Sequence, residues 1–550
     1  MMMDLTLFGL TDIVLSLKAT SLANFFAVLI SFSFVMVLFL VPKYRLGKSF
    51  YALLALLTAS LFLIVYAADY LLFFIGWEVM SITTYFLLSF TLSKRALHKY
   101  IIFAMASALS LFIAILMLYS TDHSFLYADA YQSFMLLSDS NSIIFIVLML
   151  FAIFVKLGTM GFHYWLVDAY EESQNLFTPF LSGVVSKMGV YALIIFVVNI
   201  TQPYYILAVM GVITSIIATF KAIQEDSAKR LLAYSSIAQL GYIVTVLGVV
   251  DGMGAALYHS LIHTAVKLLL FINVAGIIYV TGRSKFSELG GLIYRMPQSF
   301  VLLLIGIIVL AGMPPLGGFA SKFMIYTSLL DAKYLLILAA VMFSSVSAFL
   351  YVYKLIYGIY LGHPTNKKLE SVKEVPLSFL IPQYILSVIL IVIGTFPALV
   401  IPFFNRILEE LHLSSIPFNN ATTLASSYTQ YNGLVVMAAF IVVFALVLLF
   451  FVSLRSKAKE AKDRFDIAYC GEEPNEATHL HYGAGMGKEL KRVGLIAMIL
   501  KNSSSTFYDF LAKQVVSLSE MIRKIYTGKL SVNFNSAIIF VIILFWWSLK

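Results

Sequence analysis

The chain has 550 residues, of which 61% are hydrophobic and only 12% are charged. Soluble domains are about 45–50% apolar and about 25% charged, so this composition excludes a soluble protein and indicates a polytopic membrane protein. The single cysteine, Cys470, excludes an internal disulfide framework.

Apolar runs long enough to cross about 30 Å of hydrocarbon recur along the chain. The first twenty residues have no basic segment ahead of an apolar one, so we predict no cleaved signal peptide. We predict about 14 membrane spans, near 22–42, 49–68, 70–92, 98–120, 143–167, 176–199, 204–222, 229–250, 252–280, 299–329, 333–360, 377–402, 432–453 and 535–549.

Lysine and arginine are concentrated in the segments that follow odd-numbered spans, such as PKYRLGK and RSKAKEAKDR. The positive-inside rule therefore predicts that these segments face the cytoplasm and that both termini lie outside. The exception is DAYEESQN, which holds Asp168, Glu171 and Glu172. The net charge of +9 thus indicates orientation, and we expect no nucleic-acid partner.

Two predicted spans contain helix-breaking residues. The first has Gly158 and Gly161 within VKLGTMGFHYW, and the second has Pro314 and Pro315 within LAGMPPLGGFASK. Backbone without helical partners is tolerated at membrane depth only inside protein or beside a wet cavity. Because paired broken helices are typical of inverted-repeat transporters, we predict an all-α polytopic fold with two inverted repeats.

The predicted repeats define the remaining organisation of the chain. Residues 454–534 are basic and polar, with apolar residues at helical spacing, which predicts a lateral amphipathic helix on the cytoplasmic side, against the membrane or a partner. A soluble regulatory domain is the alternative for this segment. The predicted divisions are a helical N-terminal region 1–48, repeats 49–200 and 203–360, accessory spans 361–453, the lateral segment 454–534 and an anchoring span 535–550.

Ionisable residues within membrane spans are costly and are therefore functional candidates by default. The alternatives are that Lys229 and Lys322 are interface anchors that extend to water, that Glu78 and Lys156 form a structural ion pair, and that the histidines only pack. The eight candidates are Glu78, Lys156, Lys187, Lys229, His259, His263, Lys267 and Lys322.

Three of these candidates share one face of a predicted helix. His259, His263 and Lys267 are spaced four residues apart, so they form a stripe that rises about 12 Å. Histidines at this spacing can bind a metal, but Lys267 would repel a cation and no carboxylate or cysteine lies beside them. We therefore expect no metal or cofactor, and we expect proton exchange along the stripe. Sodium would prefer several oxygen ligands, in which the stripe is poor.

Five stretches occur in the order in which a known family has them: GWEVMSITTYFLL, VKLGTMGFHYWLVDA, AKRLLAYSSIAQLGY, YHSLIHTAVKLLLF and LAGMPPLGGFASK. Together they resemble the antiporter-like membrane subunits of respiratory complex I. The same superfamily includes large subunits of multisubunit Na+/H+ antiporters and of membrane-bound hydrogenases. The resemblance covers roughly residues 20–360.

The resemblance implies a role for each charged residue. Glu78 is the glutamate of the first half-channel and pairs with Lys156 on the broken helix. Lys187 continues that path, and Lys322 takes the terminal position. The connection between the two halves is formed by Lys229, His259, His263 and Lys267.

The resulting hypothesis is a proton-translocating subunit of a complex-I-like, redox-driven complex, with no redox centre of its own. Its expected partners are other membrane subunits, including sister antiporter-like subunits, together with the bilayer of an energy-transducing cell membrane. The alternatives are a subunit of a multisubunit Na+/H+ antiporter without a redox partner, a metal-dependent membrane enzyme, and a structural scaffold.

Overall fold

The computed structural model describes residues 3–6, 14–200, 205–361, 369 and 371–455, with scattered residues between 494 and 521. Residues 1–489 and 490–550 form separate compact units, and the fold described below is that of the first. Most of the predicted lateral segment 454–534 and the whole predicted span 535–549 lie outside the described residues.

The described part of the first unit is mostly helical. Its helices are α1 Ser21–Leu38, α2 Lys48–Tyr66, α3 Tyr70–Ser89, α4 Lys94–Asp122, α5 Ala130–Met135, α6 Asp139–Leu157, α7 Tyr164–Glu172, α8 Thr178–Phe180, α9 Lys187–Asn199, α10 Tyr205–Gln224, α11 Ala228–Leu247, α12 Met253–Thr281, α13 Pro297–Ala311, α14 Gly317–Asp331, α15 Leu335–Ile356, α16 Leu377–Thr395, α17 Ile401–Glu410 and α18 Gly433–Arg455.

Twelve helical segments among the described residues are long and apolar enough to cross a membrane. They coincide with predicted spans, which confirms the mostly helical polytopic fold. The tenth predicted span is divided into α13 and α14, of 15 residues each, and is not one of the twelve. The count of about 14 spans stays a prediction.

Both predicted interruptions are present. Helix α6 ends at Leu157, Gly158 follows with φ +64°, and helix resumes at Tyr164. Helix α13 ends at Ala311 before Gly312 with φ +74°, and α14 begins five residues later. Glycine adopts this left-handed conformation without steric cost and commonly ends helices, so both breaks follow from local sequence.

Two π-helical turns, which were not predicted from the sequence, lie at Leu181–Val185 and Tyr357–Leu361. The first immediately precedes α9, and the second immediately follows α15. A π-helical turn adds a residue to the helical repeat and is frequent at functional sites. Each therefore marks a position where main-chain carbonyls depart from the regular α-helical pattern.

Short strands add a small β component that was not predicted. Strands β1 (Met3–Thr6) and β2 (Val14–Leu17) form an antiparallel pair. Strands β3 (Phe418–Asn420), β4 (Thr423–Ala425) and β5 (Gln430–Asn432) form a three-stranded antiparallel sheet in that order.

Helices α11 and α12 lie at the centre of the bundle. In their most apolar windows, 94% and 89% of residues are buried, against 6% in the last span, Gly433–Phe450. Helix α10 packs closely on α11, because Gly211 faces Gly241 and a Cβ atom on Gly241 would stand 2.7 Å from the Gly211 carbonyl. The predicted charged stripe on α12 therefore lies within the protein, shielded from lipid.

Candidate functional site

The three stripe residues, His259, His263 and Lys267, are all buried and lie along one face of α12. The rings of His259 and His263 stack with centroids 6.2 Å apart and planes 7° apart. His259 Nδ1 lies 3.1 Å from Ser321 Oγ on α14. Lys267 Nζ donates to Ser235 Oγ at 2.6 Å and to the Leu232 carbonyl at 3.1 Å. The stripe thus bridges α11, α12 and α14.

The histidines keep unused hydrogen-bonding capacity. Among the described residues, three nitrogens of the stripe histidines have no hydrogen-bond partner: both ring nitrogens of His263 and the Nε2 atom of His259. Buried polar atoms in native proteins are nearly always paired with protein or ordered water. His263 is also close enough to Lys187 and Lys267 to interact with them electrostatically, so the stripe and α9 form one cluster of titratable groups.

Lys322 lies beside the second break. Its Nζ donates to the Ala311 carbonyl and to Ser345 Oγ, both at 2.7 Å, and lies 5.7 Å from the Tyr242 ring centroid. Ala311 is in the last turn of α13, where carbonyls have no helical partner. The break therefore supplies the acceptor that a buried ammonium requires.

Lys187 and Lys229 also bind carbonyls at helix irregularities. Lys187 Nζ donates to the Ser182 carbonyl, within the first π-helical turn, at 3.0 Å. Lys229 Nζ donates at 2.7 Å to the carbonyl of Ser173, the residue that follows α7, and at 3.1 Å to Asn175 Oδ1. Because Lys229 and Lys322 are only 5% and 2% exposed, the structure argues against the interface-anchor alternative.

Glu78 and Lys156 interact electrostatically, and Lys156 lies beside Trp77. Lys156, in the last turn of α6, is 5% exposed, and its Nζ lies 5.7 Å from the Trp77 ring. Glu78 is close enough to interact with it electrostatically. Among the described residues, however, the ion pairs shorter than 4.0 Å do not include this pair.

A surface cluster of charges explains the acidic segment DAYEESQN. Arg230 on α11 contacts Asp168 at 3.1 Å, Glu171 at 3.1 Å and Glu225 at 2.9 Å. Lys99 on α4 adds a second contact to Asp168 at 2.6 Å. These residues come from segments next to odd-numbered predicted spans, so the structure brings those segments to one end of the bundle.

One buried lysine was missed in the sequence. Lys354 on α15 is fully buried, and its Nζ donates to the Ile223 carbonyl at 2.9 Å. Its place near the end of an apolar run is typical of an interface anchor, so the sequence pattern does not distinguish Lys354 from a lysine that reaches water. The one available signal was that five apolar or aromatic residues and a glycine follow it before the run ends at Leu361.

The geometry of the site does not resemble a metal centre. Within the described ranges, no group of three or more His, Cys, Asp and Glu side chains is arranged to hold a metal ion. His259 and His263 interact electrostatically with lysines, which oppose a cation. What the arrangement offers chemically is a series of titratable groups within the membrane.

Residues 67–348 match the family described as "NADH:quinone oxidoreductase/Mrp antiporter, TM". A Na(+)/H(+) antiporter subunit of Bacillus subtilis (strain 168) is 27% identical over an alignment of 426 residues that covers 69% of this chain and 53% of that protein. NADH-quinone oxidoreductase subunit N of Rickettsia bellii (strain RML369-C) is 27% identical over 392 residues, 67% of this chain and 83% of that protein. The chain thus spans about half the length of the antiporter relative.

Solved structures agree with this assignment. A chain of the membrane-bound sulfane sulfur reductase, an archaeal respiratory membrane complex, has a TM-score of 0.88 and 26% identity, covering 99% of this chain and 91% of that chain. A chain of the Mrp complex from Dietzia sp. DQ12-45-1b has a TM-score of 0.68 at 21% identity, covering 75% of this chain and 87% of that chain, and shares the fold. The protein is a multi-pass membrane member of the antiporter-like family shared by complex I and Mrp antiporters.

Proposed function

We propose that the chain is a proton-translocating, antiporter-like subunit of a redox-driven respiratory membrane complex, without a redox centre of its own. The observation that carries the proposal is the series of buried titratable groups on adjacent helices. It runs from Glu78 and Lys156 through Lys187 and the stripe on α12 to Lys322. Ionisable groups held inside a membrane protein mark ion pathways.

Each member of the series has a chemical role in the proposal. The lysines alternate between ammonium and neutral amine, and the main-chain carbonyls beside them accept the ammonium hydrogens. The unpartnered nitrogens of His263 are positions at which water can bond and relay a proton. Glu78, which interacts with Lys156 electrostatically, is the carboxylate that exchanges protons with the first lysine.

Protons are favoured over sodium by the ligand set. Among the described members of the series, Glu78 is the sole carboxylate, whereas hard cations are held by several oxygen ligands. The resemblance to the sulfane sulfur reductase chain, which covers 99% of this chain, supports a redox-driven assembly. A Na+/H+ antiporter component is the second candidate, which the 27% identity to the Bacillus subtilis antiporter protein supports.

The first test is purification of the chain from its native membrane in mild detergent, with identification of the subunits that accompany it. Iron–sulfur or nickel-bearing subunits are expected, and small membrane subunits alone would favour the antiporter candidate. Proton translocation by the whole complex in membrane vesicles is then measured with a pH-sensitive dye. Glu78→Gln, Lys156→Ala and Lys322→Ala should each lower the rate at least about tenfold.

The matched control is Lys285→Gln, which neutralises an exposed lysine outside the membrane spans. It should leave the rate of proton translocation unchanged. Normal redox-coupled pumping by the Glu78→Gln and Lys156→Ala complexes would contradict the proposal. Proton movement that requires sodium and no electron donor would establish the second candidate.

A further inference from the structure

Lys354 is buried where a lysine would ordinarily reach water. It lies two residues before the end of α15, and lysines near helix ends usually extend their ammonium to the membrane surface. Here the residue is 0% exposed, and Nζ instead donates to the Ile223 carbonyl at 2.9 Å. Ile223 is in the last turn of α10, where the helix dipole presents negative partial charge.

Two carboxylates lie near Lys354, and one of them, Glu225, is also ion-paired with Arg230. Glu225 and Asp226, which follow α10, are partly exposed and close enough to act on the lysine electrostatically. Asp226 is held in place because its carboxylate accepts from Ser287 Oγ at 2.6 Å and from the Ser287 amide at 3.1 Å. Lys354 therefore lies between groups that can exchange protons with water and the interior of the bundle.

Polar groups continue from Lys354 toward the second break. Tyr351, one turn earlier on α15, is fully buried, and its hydroxyl lies near the side chain of Gln239. It is close enough to Tyr242 to interact with it, and Tyr242 donates to Ser344 Oγ at 3.0 Å. The adjacent Ser345 accepts from Lys322. Hydroxyl groups thus lie between the two lysines.

The spacing of the lysines is repeated in the two halves of the chain. Lys187 follows Lys156 by 187 − 156 = 31 residues, and Lys354 follows Lys322 by 354 − 322 = 32 residues. Each pair consists of a lysine next to a helix break and a second buried lysine on the next membrane span. The chain spacing is thus similar, although Lys187 begins α9 whereas Lys354 lies near the end of α15.

We propose that Lys354 is a further proton-exchange residue, which passes protons between the Glu225–Asp226 carboxylates and Lys322 through the hydroxyl groups on α15. The inference rests on the proposed function and adds to it a route into the second half of the protein. In each step one N–H or O–H bond breaks and one forms, as a proton moves from an ammonium, carboxyl or hydroxyl group to a neutral amine, a hydroxyl oxygen or a carboxylate. No electrons are transferred.

The test is proton translocation by the whole complex in membrane vesicles. Lys354→Gln keeps a hydrogen-bond donor but cannot titrate, and it should lower the rate at least about tenfold. Lys354→Arg keeps the charge but holds its proton permanently, so it should not restore the rate. Lys333→Gln, which removes an exposed charge between α14 and α15, should behave as the parent.

Tyr351→Phe keeps the inference testable if the Lys354 variants do not assemble. It removes one buried hydroxyl and keeps the ring, so assembly should be preserved while translocation slows severalfold. A normal rate for Tyr351→Phe, or full activity of Lys354→Arg, would overturn the inference. Normal Lys354 variants beside an inactive Lys322→Ala complex would overturn it alone, whereas a normal Lys322→Ala complex would overturn the proposed function too.

Discussion

Gly312 and Lys322 are in contact across the second break, and the alkyl part of the lysine fills the space where a side chain at position 312 would stand. Gly312 has φ +74°, which ends α13, and the lysine ammonium beyond it reaches the Ala311 carbonyl. The glycine therefore has two functions. It allows the left-handed turn, and it leaves room for the buried cation.

Gly312→Ala should displace Lys322. A Cβ atom at this position overlaps the lysine Cδ and Cε, in addition to adopting an unfavourable left-handed backbone conformation. We expect a lower thermal unfolding temperature of the purified complex and proton translocation reduced about as far as in Lys322→Ala.

Gly282→Ala provides the matched control. Gly282 also has a positive φ, +69°, but a Cβ atom there would meet nothing within 4 Å. The substitution should therefore cost only the backbone term, about 1–2 kcal/mol, and leave translocation intact. Equal effects of the two substitutions would show that Gly312 acts through backbone conformation alone.

His263→Leu should separate stability from activity. Both ring nitrogens of His263 lack partners among the described residues, and the residue is 1% exposed, so an apolar replacement removes buried polar atoms that make no protein hydrogen bond. We expect an unfolding temperature no lower than that of the parent and at least about a tenfold loss of translocation.

Tyr258→Phe, on the same helix, should have the opposite profile. Its hydroxyl donates to the Pro397 carbonyl at 3.0 Å, and loss of that bond should cost about 1 kcal/mol while translocation stays normal. If His263→Leu instead destabilises the complex as Tyr258→Phe does, the histidine has a packing role.

Arg230→Lys should weaken the charge cluster at the end of the bundle. The guanidinium contacts Asp168, Glu171 and Glu225 at once, which a lysine ammonium cannot reproduce. Because these side chains are 20–29% exposed, the loss of unfolding free energy should be small, about 1 kcal/mol, and smaller still at high salt. Exposed Arg95→Lys is the control, and equal unfolding temperatures for both variants would contradict the role assigned to Arg230.

Trp165→Phe should loosen the first break. The indole Nε1 donates to the Val155 carbonyl at 2.9 Å, so it satisfies an acceptor in the last turn of α6 beside Lys156. Loss of this bond should lower the unfolding free energy by about 1 kcal/mol and slow translocation. The unfolding temperature and the translocation rate are measured for Trp165→Phe and for Tyr258→Phe, which loses a similar hydrogen bond away from the break. If both variants lose stability and keep a normal translocation rate, Trp165 has a purely structural role.

The spans and their interruptions could be predicted because their signals are local. A run of apolar residues specifies a membrane helix, and Gly158 and Gly312 end helices through their own backbone conformation. The burial of the α12 stripe followed from the same reasoning, since polar groups in a membrane helix face protein.

The partners of the lysines could not be predicted in this way. Lys229 binds the carbonyl of Ser173, 56 residues away, and Lys354 binds that of Ile223, 131 residues away. Every residue has a main-chain carbonyl, so the sequence carries no sign of which ones a fold will leave free. A carboxylate could be expected opposite Lys156 because its side chain is distinctive, whereas the main-chain acceptor of Lys354 could not.

The carbonyl partners have a consequence for how many protons the protein can hold. In the part of the chain that the structure describes, five buried lysines donate a hydrogen bond to a main-chain carbonyl, namely Lys187, Lys229, Lys267, Lys322 and Lys354. A carbonyl carries no full negative charge, whereas carboxylates lie near only Lys229 and Lys354 of these five. Protonation of Lys187, Lys267 and Lys322 therefore adds positive charge that the carbonyls do not neutralise, and neighbouring ammonium groups repel one another. Under the proposed function these lysines are therefore not all protonated together, and fewer protons move in one transport cycle than there are lysines.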